Sequence, residues 1–244
     1  MIAEAYYDIV DDVWYEYGYC HRKELEFLKS SLGSALGVAV DAGCGPGRHA
    51  TVLAAVAQRV IAVDISRNML NQARRQQPSS TRAVVDFVQA DVRRLPLKDR
   101  TADCVVNFEV LEHLPDGKEG VLAALRSFRR VLRDYGMLIT EVPLSFHTLM
   151  DFAAPPSLKE IVGSARRNYY KEAPLTVGNA FRRALLEKLL KVAGFTVVSR
   201  RFVRVLPSGI IERLPGMIKV DGLLERVPLL KRAARQVVWL AEVA

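Results

Sequence analysis

Short apolar runs that lead into an acidic residue recur through the first half of the chain, at Val38 to Asp41, Val60 to Asp64 and Val84 to Asp91. Runs of this length, rich in β-branched residues, are typical of strands buried in a parallel sheet. The segment from His49 to Gln58 has few helix breakers and predicts a helix, and another is predicted to begin near Arg67. Strands and helices that alternate in this way predict an α/β domain with a parallel sheet.

The alternation continues to residue 142 and then gives way to a proline-containing stretch, residues 143–178. The elements predicted beyond the third strand are, in order, a strand from Ala102 to Glu109, a helix from Lys118 to Arg133, a strand from Gly136 to Val142, a helix from Arg182 to Ala193, and strands from Phe195 to Val203 and from Gln236 to Val243.

Three alternating glycines follow the first strand, at Gly43, Gly45 and Gly47. Glycine lets the backbone turn sharply and approach a ligand closely, so a glycine loop between a strand and a helix predicts a binding site. The dinucleotide fingerprint Gly-x-Gly-x-x-Gly does not fit from Gly43, because Arg48 stands at its third glycine position. Started from Gly45, the fingerprint tolerates Ala50 but leaves Gly47 unexplained.

The pattern Asp41-x-Gly43-x-Gly45-x-Gly47 instead resembles the first motif of the class I S-adenosylmethionine-dependent methyltransferases. The acids after the second and third strands and the segment after the fourth strand extend this resemblance over roughly residues 35–142. Within it, Val110-Leu-Glu-His113 has a form that is frequent among methyltransferases of small molecules and quinone precursors. The resemblance implies S-adenosyl-L-methionine as the cofactor.

The resemblance also implies a role for each matching residue. Asp41 and the glycines would lie along the methionine part of the cofactor, and Asp64 would bind the ribose hydroxyls. Asp91 would accept a hydrogen bond from the exocyclic amine of adenine. Asn107 and Phe108 would lie beside the adenosine and methionine. The complete expected cofactor-binding set is Asp41, Ala42, Gly43, Cys44, Gly45, Gly47, Asp64, Ile65, Met69, Asp91, Val92, Asn107, Phe108 and Glu109.

Each of these features also has a purely structural interpretation. The glycine loop could be a tight strand-to-helix turn without a ligand. Asp64 or Ser66 could cap the helix that begins near Arg67, although Ser66 alone would suffice for the cap. Asp91 could be an ordinary turn residue before Arg93 and Arg94. The series of acids at three successive strand ends favours the binding interpretation.

The expected fold is a doubly wound, mostly parallel, seven-stranded Rossmann-like sheet with an antiparallel C-terminal hairpin. We expect residues 1–244 to form one methyltransferase domain. Within it, residues 1–35 would be an N-terminal lid, residues 36–142 the cofactor-binding core, and residues 143–178 and 206–235 insertions on the acceptor side. The N-terminal segment contains five tyrosines and Trp14, which suits a lid, although a helix packed on the sheet is an equally good interpretation.

Composition limits the protein class. Half of the 244 residues are hydrophobic, which is enough for a sizeable core. Cys20, Cys44 and Cys104 have no metal-binding or disulfide spacing, which indicates a reduced, intracellular protein. The acidic start of the chain is unlike a signal peptide, and no apolar run approaches membrane-spanning length. We therefore expect a cytoplasmic protein.

The net charge of +8 is concentrated in the expected acceptor-side insertions. Residues 200–235 contain nine Arg or Lys against three acids, and residues 166–183 contain five against Glu172. Such a concentration is compatible with an anionic small substrate, with RNA, or with contact at an anionic membrane surface, as well as with a plain solvated surface. The charge leaves these alternatives open.

The implied reaction is attack by an acceptor atom on the sulfonium methyl group, for which alignment supplies much of the acceleration. His113 is the candidate general base for an acceptor that carries a proton of high pKa, and a loop hydrogen bond is its alternative role. Glu109, Glu112 and His113 resemble the divalent-metal cluster of some quinone-pathway methyltransferases, but we predict no required metal.

The preferred function is methyl transfer to a small metabolite, for which an apolar or lipid-like acceptor is a candidate. The first alternative is a tRNA or other RNA methyltransferase. The second is a catalytically inactive, cofactor-binding regulatory or scaffold subunit. An intact series of Asp41, Gly43, Gly45, Asp64 and Asp91 favours cofactor binding and therefore the enzyme.

Overall fold

Seven strands form one sheet in the computed structural model, which describes residues 18–32, 36–77, 83–143, 183–203, 217–224 and 236–244. The strands are β1 (Leu36–Ala42), β2 (Ala57–Asp64), β3 (Val84–Gln89), β4 (Ala102–Phe108), β5 (Leu132–Pro143), β6 (Phe195–Val203) and β7 (Gln236–Val243). Their order across the sheet is β3-β2-β1-β4-β5-β7-β6. The first five strands are parallel, and β7 lies antiparallel between β5 and β6. The predicted fold class is confirmed.

Six helices lie in the described ranges, and the first five cover both faces of this sheet. They are α1 (Gly18–Ser31), α2 (Arg48–Leu53), α3 (Arg67–Gln76), α4 (Gly117–Val131), α5 (Arg183–Val192) and α6 (Met217–Leu224). Short 3₁₀ turns at Val92–Arg94 and Leu111–His113 follow β3 and β4. None of these helices is both long enough and apolar enough to span a bilayer.

Alternate residues of the central strands supply two separate cores. On β1, Val40 belongs to the core shared with α4 and α5, whereas Ala39 belongs to the core shared with α1, α2 and α3. On β4, Val105 and Cys104 divide in the same way. A strand buried on both faces must be apolar at successive positions, which explains the continuous runs in the sequence.

The end of α1 packs against the sheet. Phe27 and Leu28 are buried in the same core as Leu53 and Val60, as is Leu32 just after the helix. For this part of the N-terminal segment, the structure shows a helix packed on the sheet. The remaining expected lid, residues 1–17, lies outside the described residues, as do most of the expected acceptor-side insertions.

Two predicted helices were too long at their carboxyl ends. The helix predicted from His49 to Gln58 ends at Leu53, and Ala57 already pairs with Leu36 in the sheet. Likewise, α4 ends at Val131, and Leu132 pairs with Ala102 instead of continuing the helix. In both places, strand pairing overrides the helical propensity of the sequence.

Candidate functional site

The carboxyl ends of the parallel strands place the predicted acids along one edge of the sheet. Asp41 lies near the end of β1, Asp64 ends β2, and Asp91 follows β3 by two residues. Since β1, β2 and β3 are neighbours in the sheet, these acids succeed one another along its edge. Ligands of open α/β sheets bind at this edge.

The loop after β1 takes the left-handed backbone that its glycines allow. Gly43, Gly45 and Gly47 have φ angles of +82°, +49° and +90°. The N–H groups of Gly43 and Cys44 donate to the carbonyl oxygen of Val63 at 2.7 and 2.9 Å. The loop is therefore folded across the end of β2, close to Asp64.

Asp41 is a buried carboxylate with capacity to bind a ligand. Its side chain is 1% exposed, and within the described part of the chain its Oδ2 atom has no hydrogen-bond partner. Burial raises the pKa of Asp41 to about 6, helped by the negative charge of Asp64 and opposed by His49, Arg48 and the Ala50 N–H. A cation placed at Oδ2 would offset this burial cost, since an opposite charge favours the ionised form.

Asp64 links the glycine loop to the start of α3. Its Oδ2 atom accepts from the Gly45 N–H at 2.8 Å, and its Oδ1 atom accepts from the Ser66 N–H at 2.9 Å. The Ser66 hydroxyl in turn accepts from the Met69 N–H at 3.2 Å and caps α3. The expectation that Ser66 suffices for the cap is confirmed, so Asp64 does not have to serve as the cap.

Asp91 is engaged by Arg93. The Arg93 side chain donates from Nη2 to Oδ2 at 2.6 Å and from Nε to both carboxylate oxygens, at 2.9 and 3.1 Å. Burial raises the pKa of Asp91, but the side chain, backbone N–H and charge of Arg93 outweigh it, so the pKa lies below its usual value. The carboxylate is 31% exposed and therefore accessible to a ligand.

The end of β4 contributes a buried amide and an aromatic ring. Asn107 is fully buried, and its Nδ2 donates to the Ala42 carbonyl oxygen at 2.6 Å, which ties β4 to the end of β1. Phe108 stacks on the ring of His49 with the ring centroids 4.5 Å apart. Asn107 is thus joined to the glycine loop through Ala42, and Phe108 through the first turn of α2.

Glu109 lies where the chain turns after β4. Its φ angle is +52°, and its N–H donates to Oε2 of Glu141, a fully buried residue of β5, at 3.2 Å. The Glu109 carboxylate lies 3.8 Å from the guanidinium of Arg48. Side chains from the first turn of α2 and from β5 therefore hold this turn in place.

His113 lies at the end of the 3₁₀ turn after β4, and burial lowers its pKa to about 4. Its Nε2 is 3.8 Å from Oε1 of Glu112, whose side chain is 5% exposed, whereas that of Glu109 is 44% exposed. Among the described residues, no group of three or more His, Cys, Asp or Glu side chains is arranged to hold a metal ion.

The other predicted binding residues surround this edge. Ala42, Cys44, Met69 and Val92 are buried, and Ile65 is partly exposed. Burial and the charges of Asp41 and Asp64 raise the pKa of the Cys44 thiol well above its usual value. Cys44 is therefore a neutral, apolar element of the loop.

Comparison with known proteins assigns this edge to a family. Residues 40–140 match the profile of a methyltransferase domain. A probable S-adenosylmethionine-dependent methyltransferase of Mycobacterium tuberculosis, Rv3030, is 40% identical over 104 residues, 43% of this chain and 35% of that protein. This chain contains a class I S-adenosylmethionine-dependent methyltransferase domain.

Two further proteins match more of the chain, one in sequence and one in fold. The demethylmenaquinone methyltransferase of Clavibacter sepedonicus is 29% identical over 170 residues, 66% of each chain. The structure of a Burkholderia thailandensis 1,6-didemethyltoxoflavin-N1-methyltransferase, with 1,6-didemethyltoxoflavin and S-adenosylhomocysteine bound, superposes with a TM-score of 0.60 at 20% identity. The match covers 96% of this chain and 81% of that one. The chain spans about a third of the length of Rv3030.

The cofactor of the methyltransferase domain is S-adenosylmethionine, and the side chains present fit it. The cofactor carries an ammonium group, a ribose and an adenine, and the edge offers a buried acceptor oxygen on Asp41 and carboxylates on Asp64 and Asp91. The left-handed glycines keep side chains off the loop that adjoins them.

Several side chains of this edge were absent from the predicted set, among them His49, Arg93 and Glu141. His49 and Glu141 act through contacts with residues 59 and 32 positions away, at Phe108 and Glu109, and no sequence spacing indicates such contacts. Arg93 did carry a local signal, because a basic side chain two residues after an acid can fold back onto it.

Proposed function

We propose that this protein transfers a methyl group from S-adenosylmethionine to a small metabolite, with an apolar acceptor of the quinone-precursor type as the preferred class. The observation that carries the proposal is the series of acids along the edge of the sheet. A buried, unpartnered oxygen of Asp41, in the described part of the chain, is followed by the carboxylates of Asp64 and Asp91 at the next two strand ends.

Each acid is proposed to bind a different part of the cofactor. Oδ2 of Asp41 accepts from the ammonium group, because a cation there offsets the cost of burying the carboxylate. Asp64 accepts hydrogen bonds from the ribose hydroxyls, since its carboxylate ends β2 directly beside the glycine loop. Asp91 accepts from the adenine amine.

S-adenosylmethionine supplies a methyl group that is electrophilic because it is bonded to a positively charged sulfur. The protein therefore has mainly to align the acceptor and exclude water, and good alignment contributes about 7–11 kcal/mol. The turn at Glu109, held by Glu141 and Arg48, is the described part of the site that we propose to face the acceptor.

His113 is proposed to assist only when the acceptor carries a proton. Burial lowers its pKa to about 4, so the imidazole is neutral at pH 7 and is in the right state to accept a proton. The same low pKa makes it a weak base towards a phenol of pKa about 10. We expect His113→Gln to lower turnover of a phenolic acceptor by less than about 100-fold, the lower end of general-base effects.

The preferred acceptor class is supported by two observations. The segment Val110 to His113 has the form frequent in methyltransferases of quinone precursors. The relative with the longest matching stretch among those described above is a demethylmenaquinone methyltransferase. An RNA acceptor would instead use the basic charge of residues 166–183 and 200–235, most of which lie outside the described ranges.

Calorimetric titration with S-adenosylmethionine and S-adenosylhomocysteine tests the proposal first. Micromolar binding of both ligands is expected, followed by transfer of a labelled methyl group to a demethylated quinone. If the label is recovered on tRNA alone, the protein is still a methyltransferase, but its acceptor is RNA and the proposed acceptor class is wrong. If neither ligand binds, the enzyme is excluded and the scaffold alternative gains support.

A further inference from the structure

Arg93 surrounds the carboxylate of Asp91 more completely than a simple ion pair would. Its backbone N–H donates to Oδ1 at 2.9 Å, its Nε–H is shared between both oxygens, and its Nη2 donates to Oδ2 at 2.6 Å. The remaining nitrogen, Nη1, donates to Oδ2 of Asp116 at 3.2 Å. Arg93 is therefore fixed at one end by Asp91 and at the other by the residue that precedes α4.

These contacts limit how Asp91 can meet a ligand. A carboxylate has about four lone-pair positions, and the three N–H groups of Arg93 make four contacts with them, two on each oxygen. The Nε–H contact is divided between the two oxygens, so an N–H donor of a ligand can still be accepted on the exposed part of the carboxylate. A carbonyl oxygen presented at the same place would face a fixed negative charge with no proton to share.

We propose that Arg93 is a positioning residue for nucleobase selection. It holds the Asp91 carboxylate ionised and in one orientation. The carboxylate then accepts a hydrogen bond from the amine of adenine and rejects a base with a carbonyl there. This inference rests on the proposed placement of adenine at Asp91. Arg93 acts through Asp91, and we assign Arg93 no direct contact with the base.

Asp116 restricts the orientation of Arg93. Its side chain is 71% exposed, so the contact with Arg93 adds little energy by itself. It does restrict the rotation of the guanidinium, because both ends of the planar group are then engaged. A lysine in place of Arg93 would keep the positive charge but would lose this two-ended geometry.

The chain offers a matched control in Arg94. This neighbouring side chain is exposed and acts on Asp91 through its charge, as the last of the causes that lower the pKa of Asp91. Arg94→Gln therefore removes one positive charge close to Asp91 without removing an N–H donor of Arg93. A comparison of variants at positions 93 and 94 separates geometry from charge.

The test is calorimetric titration with S-adenosylhomocysteine and with its analogue in which hypoxanthine replaces adenine. The wild type is expected to prefer the adenine ligand by about tenfold or more, the range for hydrogen bonds to a charged group. Asp91→Asn should abolish the preference because an amide can also donate. Arg93→Lys and Arg93→Gln should reduce it at least about threefold, while Arg94→Gln keeps it. Thermal melting of each variant confirms that it is folded.

The outcomes distinguish this inference from the proposed function. If the wild type binds neither ligand, the proposed function fails and this inference fails with it. If the wild type prefers adenine but Asp91→Asn keeps the preference, the placement of adenine at Asp91 is wrong. If Asp91→Asn loses the preference while both Arg93 variants keep it, Arg93 has no positioning role and only this inference is overturned.

Discussion

The carboxylate of Asp64 and the backbone N–H of Gly45 are joined by a hydrogen bond of 2.8 Å. This bond connects the end of β2 to the middle of the glycine loop after β1. The second oxygen of Asp64 accepts from the Ser66 N–H, at the start of α3. The acid proposed to bind the ribose is thus also the residue that holds the loop proposed to bind methionine.

Asp64→Ala should therefore weaken both folding and ligand binding. Loss of two backbone N–H contacts to a charged group should lower the free energy of unfolding by about 2–4 kcal/mol. Affinity for S-adenosylhomocysteine should fall by about 1–2 kcal/mol, the value of hydrogen bonds to the ribose. Chemical denaturation and calorimetric titration measure the two effects.

Asp86→Ala is the matched control for this variant. Asp86 forms an exposed ion pair with Arg59 on the neighbouring strands, so its loss should cost less than about 1 kcal/mol and leave affinity unchanged. Unchanged affinity in Asp64→Ala would mean that Asp64 does not bind the ribose. Unchanged stability would show that its contacts with Gly45 and Ser66 are energetically unimportant.

Gly43 requires glycine for two separate reasons. Its φ angle is +82°, and an added Cβ would lie 2.2 Å from Cγ2 of Val110, in the turn after β4. Gly43→Ala should cost about 1–2 kcal/mol for the left-handed backbone plus roughly 1–3 kcal/mol for the overlap with Val110. The loop would be displaced, so binding of S-adenosylhomocysteine should be lost.

Gly117→Ala separates these two costs. Gly117 has a φ angle of +56°, but a Cβ added there would meet no atom within 4 Å. Its variant should show the backbone cost alone and bind the ligand normally. Adding Val110→Ala to Gly43→Ala should recover the overlap cost, as measured by denaturation. No recovery would mean that the Val110 contact is not the cause.

The sequence predicted the strands well because the central strands are buried on both faces. Such strands must be continuously apolar, and β1, β2 and β4 were each recognised from that property. The end of α2 could not be predicted in the same way. Ala54 and Ala55 favour a helix locally, but the chain has to reach the sheet by Ala57, where it pairs with Leu36.

The acids of the site were found because they lie at or just after strand ends and match the motifs of the resembled family, and both signals are local in the sequence. Side chains that contact the site from distant positions in the sequence were not predicted. His49 packs on Phe108, and Glu141 binds the N–H of Glu109, because strand order brings β4 beside β1 and β5. Those contacts cannot be predicted from the sequence unless the order of the strands in the sheet is known.

Binding of S-adenosylhomocysteine should release protons from Asp41 near pH 6. Burial raises the pKa of Asp41 to about 6, so the carboxyl is about half protonated there. The ligand's ammonium group would lower that pKa, so affinity should rise as the pH increases from 5 to 7. Calorimetry in buffers of different ionisation enthalpy should detect release of about half a proton at pH 6.

Asp41→Asn should abolish this proton release, because the amide does not titrate. Asp64→Asn is a less direct control, because burial is the main cause of the raised pKa of Asp41 and the charge of Asp64 only adds to it. A wild-type enthalpy that is independent of the buffer would contradict the placement of the ammonium group at Asp41. Release that persists in Asp41→Asn would assign the proton to a different group.

Asp41 and His113 should have opposite effects on stability in acid. The pKa of Asp41 is about 6 in the folded state and 3.8 in the unfolded state. The contribution of Asp41 to the free energy of unfolding therefore falls as the pH rises between these values. The pKa of His113 is lowered to about 4 from 6.5, so the unfolded state binds its proton first and the contribution of His113 rises over pH 4 to 6.5. Each effect amounts to about 3 kcal/mol at 1.36 kcal/mol per pKa unit, and the two oppose each other in the wild type.

Single substitutions should reveal these opposing slopes. Relative to the wild type, Asp41→Asn should gain stability as the pH rises from 4 to 6, because the cost of ionising a buried carboxyl is gone. His113→Gln should be relatively more stable at pH 4 and lose that advantage by pH 6.5, because no imidazole has to stay neutral in acid. Urea denaturation at half-unit pH intervals measures both curves. A variant curve that runs parallel to the wild type would show that the substituted group titrates alike in the folded and unfolded states.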